Sequence, residues 1–416
     1  MPLRNGFGTG WLQVAICFVL LTCVAMITSV YSIVAAPLDA QFHPPRFVLM
    51  LAMTIMAAVT GLLSPVLGGL MDRIALRRMM VGGGLALAAG YAMLSLVTEF
   101  WQVLAIFAVL IAPANVLIGP IAATVLISRW FVKRRGTAIG IALAGISTGS
   151  VVFPPIVHGL IETFEWRQAY LVLALILLVC TVGPALLVVE RPADRDLNPD
   201  GLAEAQLQGQ QARAVPISAW QVLSDPTFWM FAALVAVVTS GMAGMITNIA
   251  QVVLDQDLPL VKAALLITLY GATGFAAKAF FAVLSDRVSP RLLLIVSLGG
   301  FAAGMACLSQ VHLGMTAFVV GVSLIGLFGG LMVPLKSFLT PRIFGEQTVG
   351  KAMGLASVVS LFAMLSTPPL FGGVHDLMGT YAPMFWAEAA LGALAMLLVP
   401  YMRLRPREDG ARAALA

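Results

Sequence analysis

The stretch WFVKRRGTAIGIALAGISTG, from Trp130 to Gly149, joins a cationic cluster to an uncharged run of small residues. Cations enter lipid only at a high free-energy cost and are enriched on the cytoplasmic side of membrane proteins, so the cluster predicts a helix anchored at that face. The cluster consists of Lys133, Arg134 and Arg135. Small residues four apart, which let a second helix approach closely, follow at Gly136, Gly140 and Ala144, and at Gly145 and Gly149.

The composition of the whole chain supports a membrane protein. Of its 416 residues, 60% are hydrophobic and 10% are charged, whereas a soluble domain carries about 25% charged residues. A soluble fold of this composition would expose large apolar patches. The net charge of +5 is explained by loop cations, so we predict no nucleic-acid partner. The four cysteines have no CxxC or metal-ligand spacing, so we predict neither a disulfide framework nor a metal site.

Twelve apolar runs are long enough to cross about 30 Å of hydrocarbon. The first run is too long for a signal-peptide core, so we interpret it as a retained span. The predicted spans are 11–36, 47–70, 79–98, 101–127, 136–160, 168–189, 226–254, 261–284, 292–311, 315–340, 352–374 and 380–402.

The distribution of cations predicts the orientation in the membrane. If both termini are cytoplasmic, nineteen lysine and arginine residues lie on the cytoplasmic side and three, Arg46, Arg167 and Lys262, lie on the other. This asymmetry is the positive-inside pattern. The remaining two cations, Lys278 and Lys336, fall inside predicted spans. We expect a multi-pass protein of a bacterial inner membrane with both termini in the cytoplasm.

An internal repeat predicts two halves of six helices each. Asp72-Arg73 recurs as Asp286-Arg287, and Pro154-Pro155 recurs as Pro368-Pro369, both after 214 residues. One offset shared by separate motifs indicates parallel repeats. The predicted fold class is an all-α polytopic membrane protein of twelve helices. The N-terminal half is predicted at 1–189 and the C-terminal half, with a short tail, at 226–416. Between them we predict a cytoplasmic linker at 190–225 that ends in a short helix around 217–223.

This organisation resembles the major facilitator superfamily. The superfamily's loop signature, Gly-x-Leu-x-Asp-Arg-x-Gly-Arg-Arg, is recognisable at Gly68–Arg73 with Arg77-Arg78 after it, although Ala75 replaces the second glycine. The copy at 284–287 is more degraded. An aspartate at a helix end can accept hydrogen bonds from a neighbouring helix N-terminus. We therefore expect a latch between the halves, and we assign gating roles to Asp72, Arg73, Arg134, Arg135, Asp286 and Arg287.

Within the superfamily, the opening stretch resembles the monocarboxylate transporter family. That family's signature is aromatic-Phe-x-Lys-Arg-Arg-x-x-Ala-x-Gly-x-Ala-x-Ala-Gly-x-x-x-Gly, and 130–149 match it in register. Gly10-Trp11 fits the family's first span more loosely. The turn at 372–381 resembles the Gly-x-x-x-Asp-x-x-Gly-x-Tyr turn shared with the related oxalate–formate antiporters.

Lys278 is the strongest candidate for binding a substrate. It lies eight residues before Asp286, which is about 12 Å along a helix, and a charge inside a span is a functional candidate. The resemblance places Lys278 where the family has an arginine that binds the substrate carboxylate, and Gly274 where it has an aspartate. Lysine lacks the bidentate fork of arginine, and Gly274 removes a proton-carrying partner.

Further polar residues complete the candidate cavity. Lys336 lies six residues before Arg342 and either binds substrate, contacts a gate, or extends to the interface. A second cation in the cavity would favour a dicarboxylate. Side chains that can donate hydrogen bonds to a carboxylate are Tyr31, Asn115 and Asn248.

Glu388 and His158 are the candidates for carrying a proton. Glu388 is an intramembrane carboxylate in the last span, for which a helix–helix hydrogen bond is the simpler interpretation. His158 lies near the outer end of the fifth span and titrates near neutral pH when unperturbed, although an interfacial histidine with satisfied hydrogen bonds is the simpler interpretation there.

These features predict a secondary transporter of small organic anions that works by alternating access. The resemblance favours monocarboxylates such as lactate or pyruvate, moved with protons or exchanged for another anion, by a monomer in the bilayer. Alternatives are an oxalate–formate-like or dicarboxylate antiporter, an exporter of hydrophobic drugs, and a membrane sensor that does not transport. The chain lacks P-loop, HExxH and nucleophile-elbow motifs, so we predict no enzymatic activity and no cofactor.

Overall fold

A computed structural model describes residues 4–5, 7–44, 46–195, 197–198, 218–256, 260–310 and 314–402. The described chain is almost entirely helical. Its α-helices are α1 (Phe7–Ser29), α2 (Tyr31–Phe42), α3 (Arg46–Met71), α4 (Leu76–Leu94), α5 (Phe100–Ile106), α6 (Ala112–Leu117), α7 (Pro120–Trp130), α8 (Arg135–Thr163), α9 (Trp166–Leu186), α10 (Ala219–Leu223), α11 (Pro226–Leu254), α12 (Leu260–Leu284), α13 (Pro290–Ser309), α14 (Met315–Leu324), α15 (Met332–Phe344), α16 (Val349–Met378) and α17 (Ala382–Leu398).

Shorter elements connect or interrupt these helices. Two turns are π-helical, Phe107–Ile111 and Ile325–Gly329. The 3₁₀ turns are Pro192–Arg195, Glu346–Thr348 and Val399–Tyr401. Two strands of two residues each, β1 (Arg4–Asn5) and β2 (Leu197–Asn198), pair in parallel. They are the only departure from an all-helical fold within the described ranges.

Every predicted span coincides with helical structure. Eleven helical segments of the described chain are long and apolar enough to cross a membrane. The twelfth predicted span, 79–98, corresponds to the 19-residue helix α4, whose first turn contains Arg77 and Arg78 and is therefore less apolar. Most of the predicted linker, with Arg213, and all of the tail after residue 402, with its four arginines, lie outside the described residues.

The chain divides into two compact units. Among the described residues, the first unit contains those up to residue 198 together with 344–355, and the second contains 218–343 and 356–402. The segment 344–355 comes from the second half of the sequence, but it belongs to the first unit. It carries the beginning of α16.

In the first unit, α1 and α8 pack at the small residues that the opening stretch contributes. A Cβ added to Gly145 would collide with the carbonyl oxygen of Phe18, and one added to Gly149 would collide with that of Thr22. Backbones come this close only where side chains are absent, as the spacing of small residues predicts. The prediction that this stretch packs tightly against another helix is confirmed.

In the second unit, α13 packs against α17 and the π-helical turn Ile325–Gly329. A Cβ on Gly300 of α13 would overlap the ring of Phe328, and a Cβ on Gly304 would lie 2.7 Å from Ile325 Cγ1. The π-helical turn can therefore pack against α13 only because Gly300 and Gly304 have no side chains. This contact fixes the position of the turn in the second unit.

The predicted helix near the end of the linker is present as α10. Ser218 caps it, since the Ser218 hydroxyl accepts a hydrogen bond from the Gln221 N–H at 3.2 Å. Trp220 is 77% exposed, as expected for an aromatic residue that faces a membrane interface.

Candidate functional site

The fourth and tenth predicted spans are interrupted helices. In the fourth span, a π-helical turn precedes α6, and the chain breaks between Leu117 and Pro120 before α7 begins. In the tenth span, a π-helical turn and a break separate α14 from α15. A π-helical turn leaves carbonyl groups without their usual partners and is frequent at functional sites. Interrupted helices in corresponding positions of two repeats indicate a binding site in a transporter.

Lys278 lies on α12 beside the interruption of the tenth span. Its side chain is half-buried. One helical turn earlier, α12 lies close to the residue that follows the π-helical turn, because a Cβ on Gly330 would lie 3.2 Å from Gly274 Cα. Gly274 itself has room for a side chain, since the nearest atom to an added Cβ is Gly326 O at 3.7 Å. Lys278 therefore stands next to interrupted backbone, and the glycine four residues before it leaves space at that level.

Lys336 lies on α15, just after the same interruption. Its ammonium group donates a hydrogen bond to the Ser357 hydroxyl at 3.2 Å, and both side chains are half-buried. Ser357, on α16, was not predicted from the sequence. A serine in an apolar run most often bonds its own helix, so only the fold identifies it as a partner of a lysine.

Tyr31 and Asn115 belong to the first unit. Tyr31 is 7% exposed, and its ring contacts Phe107 edge-on at 5.7 Å. The Asn115 amide lies 3.5 Å from the Thr60 hydroxyl, which in turn lies 3.4 Å from the Ala112 carbonyl oxygen. Asn115 lies on the short helix α6, between the π-helical turn and the break in the fourth span. Thr60 is a second polar residue that sequence reasoning missed.

Asn248 and His158 are placed differently from what their proposed roles suggest. The Asn248 amide donates to the Gly244 carbonyl oxygen at 2.8 Å, within its own helix. His158 is exposed and lies 3.4 Å from Glu162 one turn later on α8. His158 is therefore a surface residue of its unit, and the simpler interpretation of an interfacial histidine fits it.

The structure corrects the simpler interpretation of Glu388. Its side chain is 4% exposed, but its Oε2 has no hydrogen-bond partner among the described residues. The expected helix–helix hydrogen bond to this oxygen is absent because the helices that face it present apolar groups and a glycine. Sequence reasoning could not find this, since it depends on which helices pack against α17.

Asp72 accepts hydrogen bonds from the N-terminus of α16, inside the first unit. Its two carboxylate oxygens accept from the N–H groups of Gly350 and Lys351, each at 3.0 Å. A helix N-terminus has N–H groups without intrahelical partners, and its dipole favours a negative charge. Asp72 therefore accepts hydrogen bonds from a helix N-terminus, as the sequence predicts, and its role as a latch stays a prediction. Burial raises the pKa of Asp72 to about 6, against the hydrogen bonds and the neighbouring cations, which lower it.

Asp72 also borders a polar cleft that contains two ion-pairing residues not predicted from the sequence. The Arg129 guanidinium donates to the Met71 carbonyl oxygen at 2.9 Å and lies 3.9 Å from the Glu190 carboxylate. The Arg77 N–H lies 3.3 Å from the other oxygen of Glu190. The beginning of the linker is thereby attached to the ends of α3, α4 and α7. Arg73 is exposed at the rim.

Of the three cations in the opening stretch, only Arg135 is buried. Its guanidinium donates to the carbonyl oxygens of Phe131, at 2.8 Å, and Ser128, at 3.2 Å, and it pairs with the Glu346 carboxylate. Lys133 and Arg134 are exposed, as is Arg287, whereas Asp286 is half-buried. The sequence assigns gating roles to both Arg134 and Arg135, but the fold buries Arg135 and leaves Arg134 at the surface.

The two stretches that carry the resemblance contact each other. Trp11 of α1 packs edge-on against Phe131 at 5.2 Å, and a Cβ on Gly10 would lie 3.2 Å from the Phe131 ring. The Trp130 indole N–H donates to the Val189 carbonyl oxygen at 2.8 Å. Gly10-Trp11 and Trp130-Phe131 therefore form one packing unit at the beginning of α1.

The turn at 372–381 is a helix end with an aromatic stack. Gly379 adopts φ +70°, which favours glycine, and its N–H donates to the His375 carbonyl oxygen at 2.7 Å. The His375 ring stacks on Tyr381 at 4.4 Å and its Nε2 lies 2.9 Å from the Asp255 carboxylate. These contacts connect the ends of α11 and α16 with the beginning of α17.

Comparison with known proteins decides the family. The sequence pattern of the Major Facilitator Superfamily matches residues 17–266 and 235–415. The chain belongs to the Major Facilitator Superfamily. This major facilitator protein is therefore a multi-pass membrane transporter of small organic molecules and not an enzyme.

Several relatives of this major facilitator protein are named as monocarboxylate transporters. Monocarboxylate transporter 12-B of Danio rerio is 25% identical over 94% of this chain and 86% of its own length. Human monocarboxylate transporter 12 is 24% identical over 96% of this chain and 81% of its own length. Rat monocarboxylate transporter 4 is 27% identical over 66% of this chain and 58% of its own length.

Solved structures share the fold of this major facilitator protein. The E. coli fucose:proton symporter has a TM-score of 0.68 at 14% identity and covers 94% of this chain and 98% of its own. The proton:xylose symporter XylE bound to 6-bromo-6-deoxy-D-glucose has a TM-score of 0.72 at 14% identity and covers 94% of each chain. The predicted twelve-helix fold class is confirmed.

Proposed function

We propose that this transporter carries small monocarboxylates of the lactate and pyruvate type, together with protons, by alternating access. Lys278 carries the proposal, because it is a half-buried cation on a membrane-spanning helix beside the interrupted helix α14–α15. An ammonium group there supplies the counter-charge for a carboxylate. The names of the curated relatives favour the same substrate class.

The neighbouring residues suit a small anion. Gly274 leaves space one turn before Lys278, and the helix beside it contains a π-helical turn, a feature that is frequent at functional sites. From the first unit, we assign hydrogen bonding of the substrate to Tyr31 and Asn115. Asn248 would bind the substrate by giving up its hydrogen bond to the Gly244 carbonyl oxygen and donating to the substrate instead.

The proposal includes the orientation and the gate. We place both termini in the cytoplasm of a bacterial inner membrane, with six-helix halves at 1–189 and 226–416 joined by the linker at 190–225. Alternating access requires contacts at one membrane face to break and form again. We assign this role to the hydrogen bonds from the N-terminus of α16 to Asp72 and to the ion pair of Arg135 with Glu346.

Uptake of radiolabelled lactate into proteoliposomes tests the role of Lys278. We expect Lys278→Ala to reduce uptake about 10- to 100-fold, because a hydrogen bond to a charged group contributes roughly 1.5–3 kcal/mol and 1.4 kcal/mol is a factor of ten. Lys278→Arg should retain uptake, since a guanidinium also binds carboxylates. Lys262→Ala is the matched control, because it removes the same charge from the same helix about 24 Å away. Wild-type uptake by Lys278→Ala would refute the assignment.

A dicarboxylate or oxalate–formate-like antiporter is the second candidate. Lys336 favours it, because this second half-buried cation follows the same interrupted helix and donates to Ser357 at 3.2 Å. If so, lactate uptake should be weak, and uptake of labelled oxalate should require oxalate or formate inside the vesicles. Lys336→Ala should then reduce the exchange as strongly as Lys278→Ala does.

A further inference from the structure

Glu388 lies in an apolar contact between α17 and α11 of the second unit. A Cβ added to Gly241 of α11 would lie 2.9 Å from the Glu388 Oε2, 2.6 Å from the Phe301 ring and 3.1 Å from the Met305 methyl group. The carboxyl oxygen therefore occupies the space that the missing side chain of Gly241 leaves. Gly241 stands about 20 Å from either end of α11, so the contact lies near the middle of a span.

The groups around this oxygen cannot stabilise a negative charge. Oε2 is fully buried and accepts no hydrogen bond from any described residue. One turn before Glu388, Phe385 packs against Phe371 of α16 at 5.3 Å, which adds an aromatic wall. A buried ion without a partner is strongly disfavoured, and the acid avoids this by keeping its proton.

The neighbouring helices place no basic group where it could neutralise a Glu388 carboxylate in place of the proton. Between Pro226 and Leu254, α11 contains no charged residue and no histidine. On α13, Arg291 lies in the first turn and reaches the Met402 carbonyl oxygen, beyond the far end of α17. On α16, His375 is paired with Asp255 at 2.9 Å. The charged and titratable residues on or beside these elements are Asp225, Asp255, Arg291, Cys307, Lys351, His375, Asp376, Tyr381 and Tyr401.

We propose that Glu388 is a proton-binding site of this transporter, where a carboxylic acid is kept uncharged against Gly241 and releases its proton when α11 and α17 separate. In the packed state the O–H bond of the acid stays intact. When the helices separate, water reaches the carboxyl group, accepts the proton and solvates the carboxylate. The ligand is a proton, and the inference deepens the proposed function by naming the group that carries it.

Infrared difference spectroscopy of the full-length protein in proteoliposomes tests the site without any substrate. We expect the wild-type spectrum at neutral pH to contain the C=O band of a protonated carboxylic acid that shifts in D₂O and is lost in Glu388→Gln. A carboxylate band at neutral pH in its place would overturn the proposal. Because no substrate is needed, failure of lactate transport leaves this result interpretable.

Two glycine variants test the position of the acid. Gly241→Ala places a methyl group against Oε2 and should shift the C=O band. Gly299→Ala of α13 is the matched control, because its Cβ would lie 3.5 Å from the Met396 Sδ, about two turns beyond Glu388 on α17. It should leave the band at its wild-type frequency. An unshifted band in Gly241→Ala would refute the contact with Gly241.

The last measurement asks whether this proton is coupled to transport, and it alone rests on the proposed function. The readout is the ratio of lactate uptake with an inward proton gradient to uptake without one. We expect Glu388→Gln and Glu388→Asp to differ, since only aspartate can still exchange a proton. The ratio should fall to one in Glu388→Gln. A wild-type ratio in Glu388→Gln would refute the coupling role.

Discussion

Replacing Gly68 with valine is expected to eliminate transport and to lower the thermal stability strongly. Gly68 and Gly350 meet backbone to backbone inside the first unit, and a Cβ on either residue would overlap the carbonyl oxygen of the other. Backbone atoms cannot rotate away as a side chain does, so α3 and the beginning of α16 must separate. Overpacking typically lowers the free energy of unfolding by 1–3 kcal/mol, and we expect a loss of about 3 kcal/mol for Gly68→Val.

The neighbouring glycine provides the control for this substitution. Gly69 is on the same helix, but an added Cβ would meet only the flexible Lys351 side chain, at 3.8 Å. Gly69→Val changes helix propensity as Gly68→Val does, so it separates packing from propensity. Melting temperatures in detergent and lactate uptake should be near wild type for Gly69→Val. Equal losses in the two variants would contradict the interpretation that the backbone contact is responsible.

Replacing Asp72 with asparagine is expected to remove a pH dependence of stability. Burial raises the pKa of Asp72 from 3.8 to about 6, although the hydrogen bonds from Gly350 and Lys351 lower it. The packed state therefore binds the proton more tightly than the open state. Lowering the pH from about 6 to 3.8 stabilises the packed state, by as much as about 3 kcal/mol. Above pH 6 this stabilisation is lost.

The measurement is the melting temperature as a function of pH for the wild type and Asp72→Asn. The melting temperature of the wild type minus that of Asp72→Asn should rise as the pH falls through 6. Asparagine should also lower stability at all pH values, because its amide N–H group faces backbone N–H donors. Asp286→Asn is the control, since Asp286 belongs to the second unit. If the Asp72→Asn protein keeps the wild-type pH dependence, the raised pKa of Asp72 is not its cause.

Asp72 illustrates how far a motif can predict structure. The motif places an aspartate just after a membrane helix, and the exposed N–H groups of another helix N-terminus are its natural partners. Sequence reasoning therefore predicted the kind of partner. It did not identify Gly350 and Lys351, because the sequence does not state which helix begins beside α3. Arg129 and Glu190 were missed for the same reason.

The sequence by itself determined the membrane character, the helical spans and the close packing at Gly145 and Gly149. These follow from local properties, since a span needs about 20 apolar residues and a close contact needs small ones. Only the tertiary structure decided which cation of the opening stretch is buried, and that the Glu388 carboxyl group lies without a partner against Gly241. Those properties depend on the helix packed opposite, because the free energy of a buried polar group is set by its neighbours.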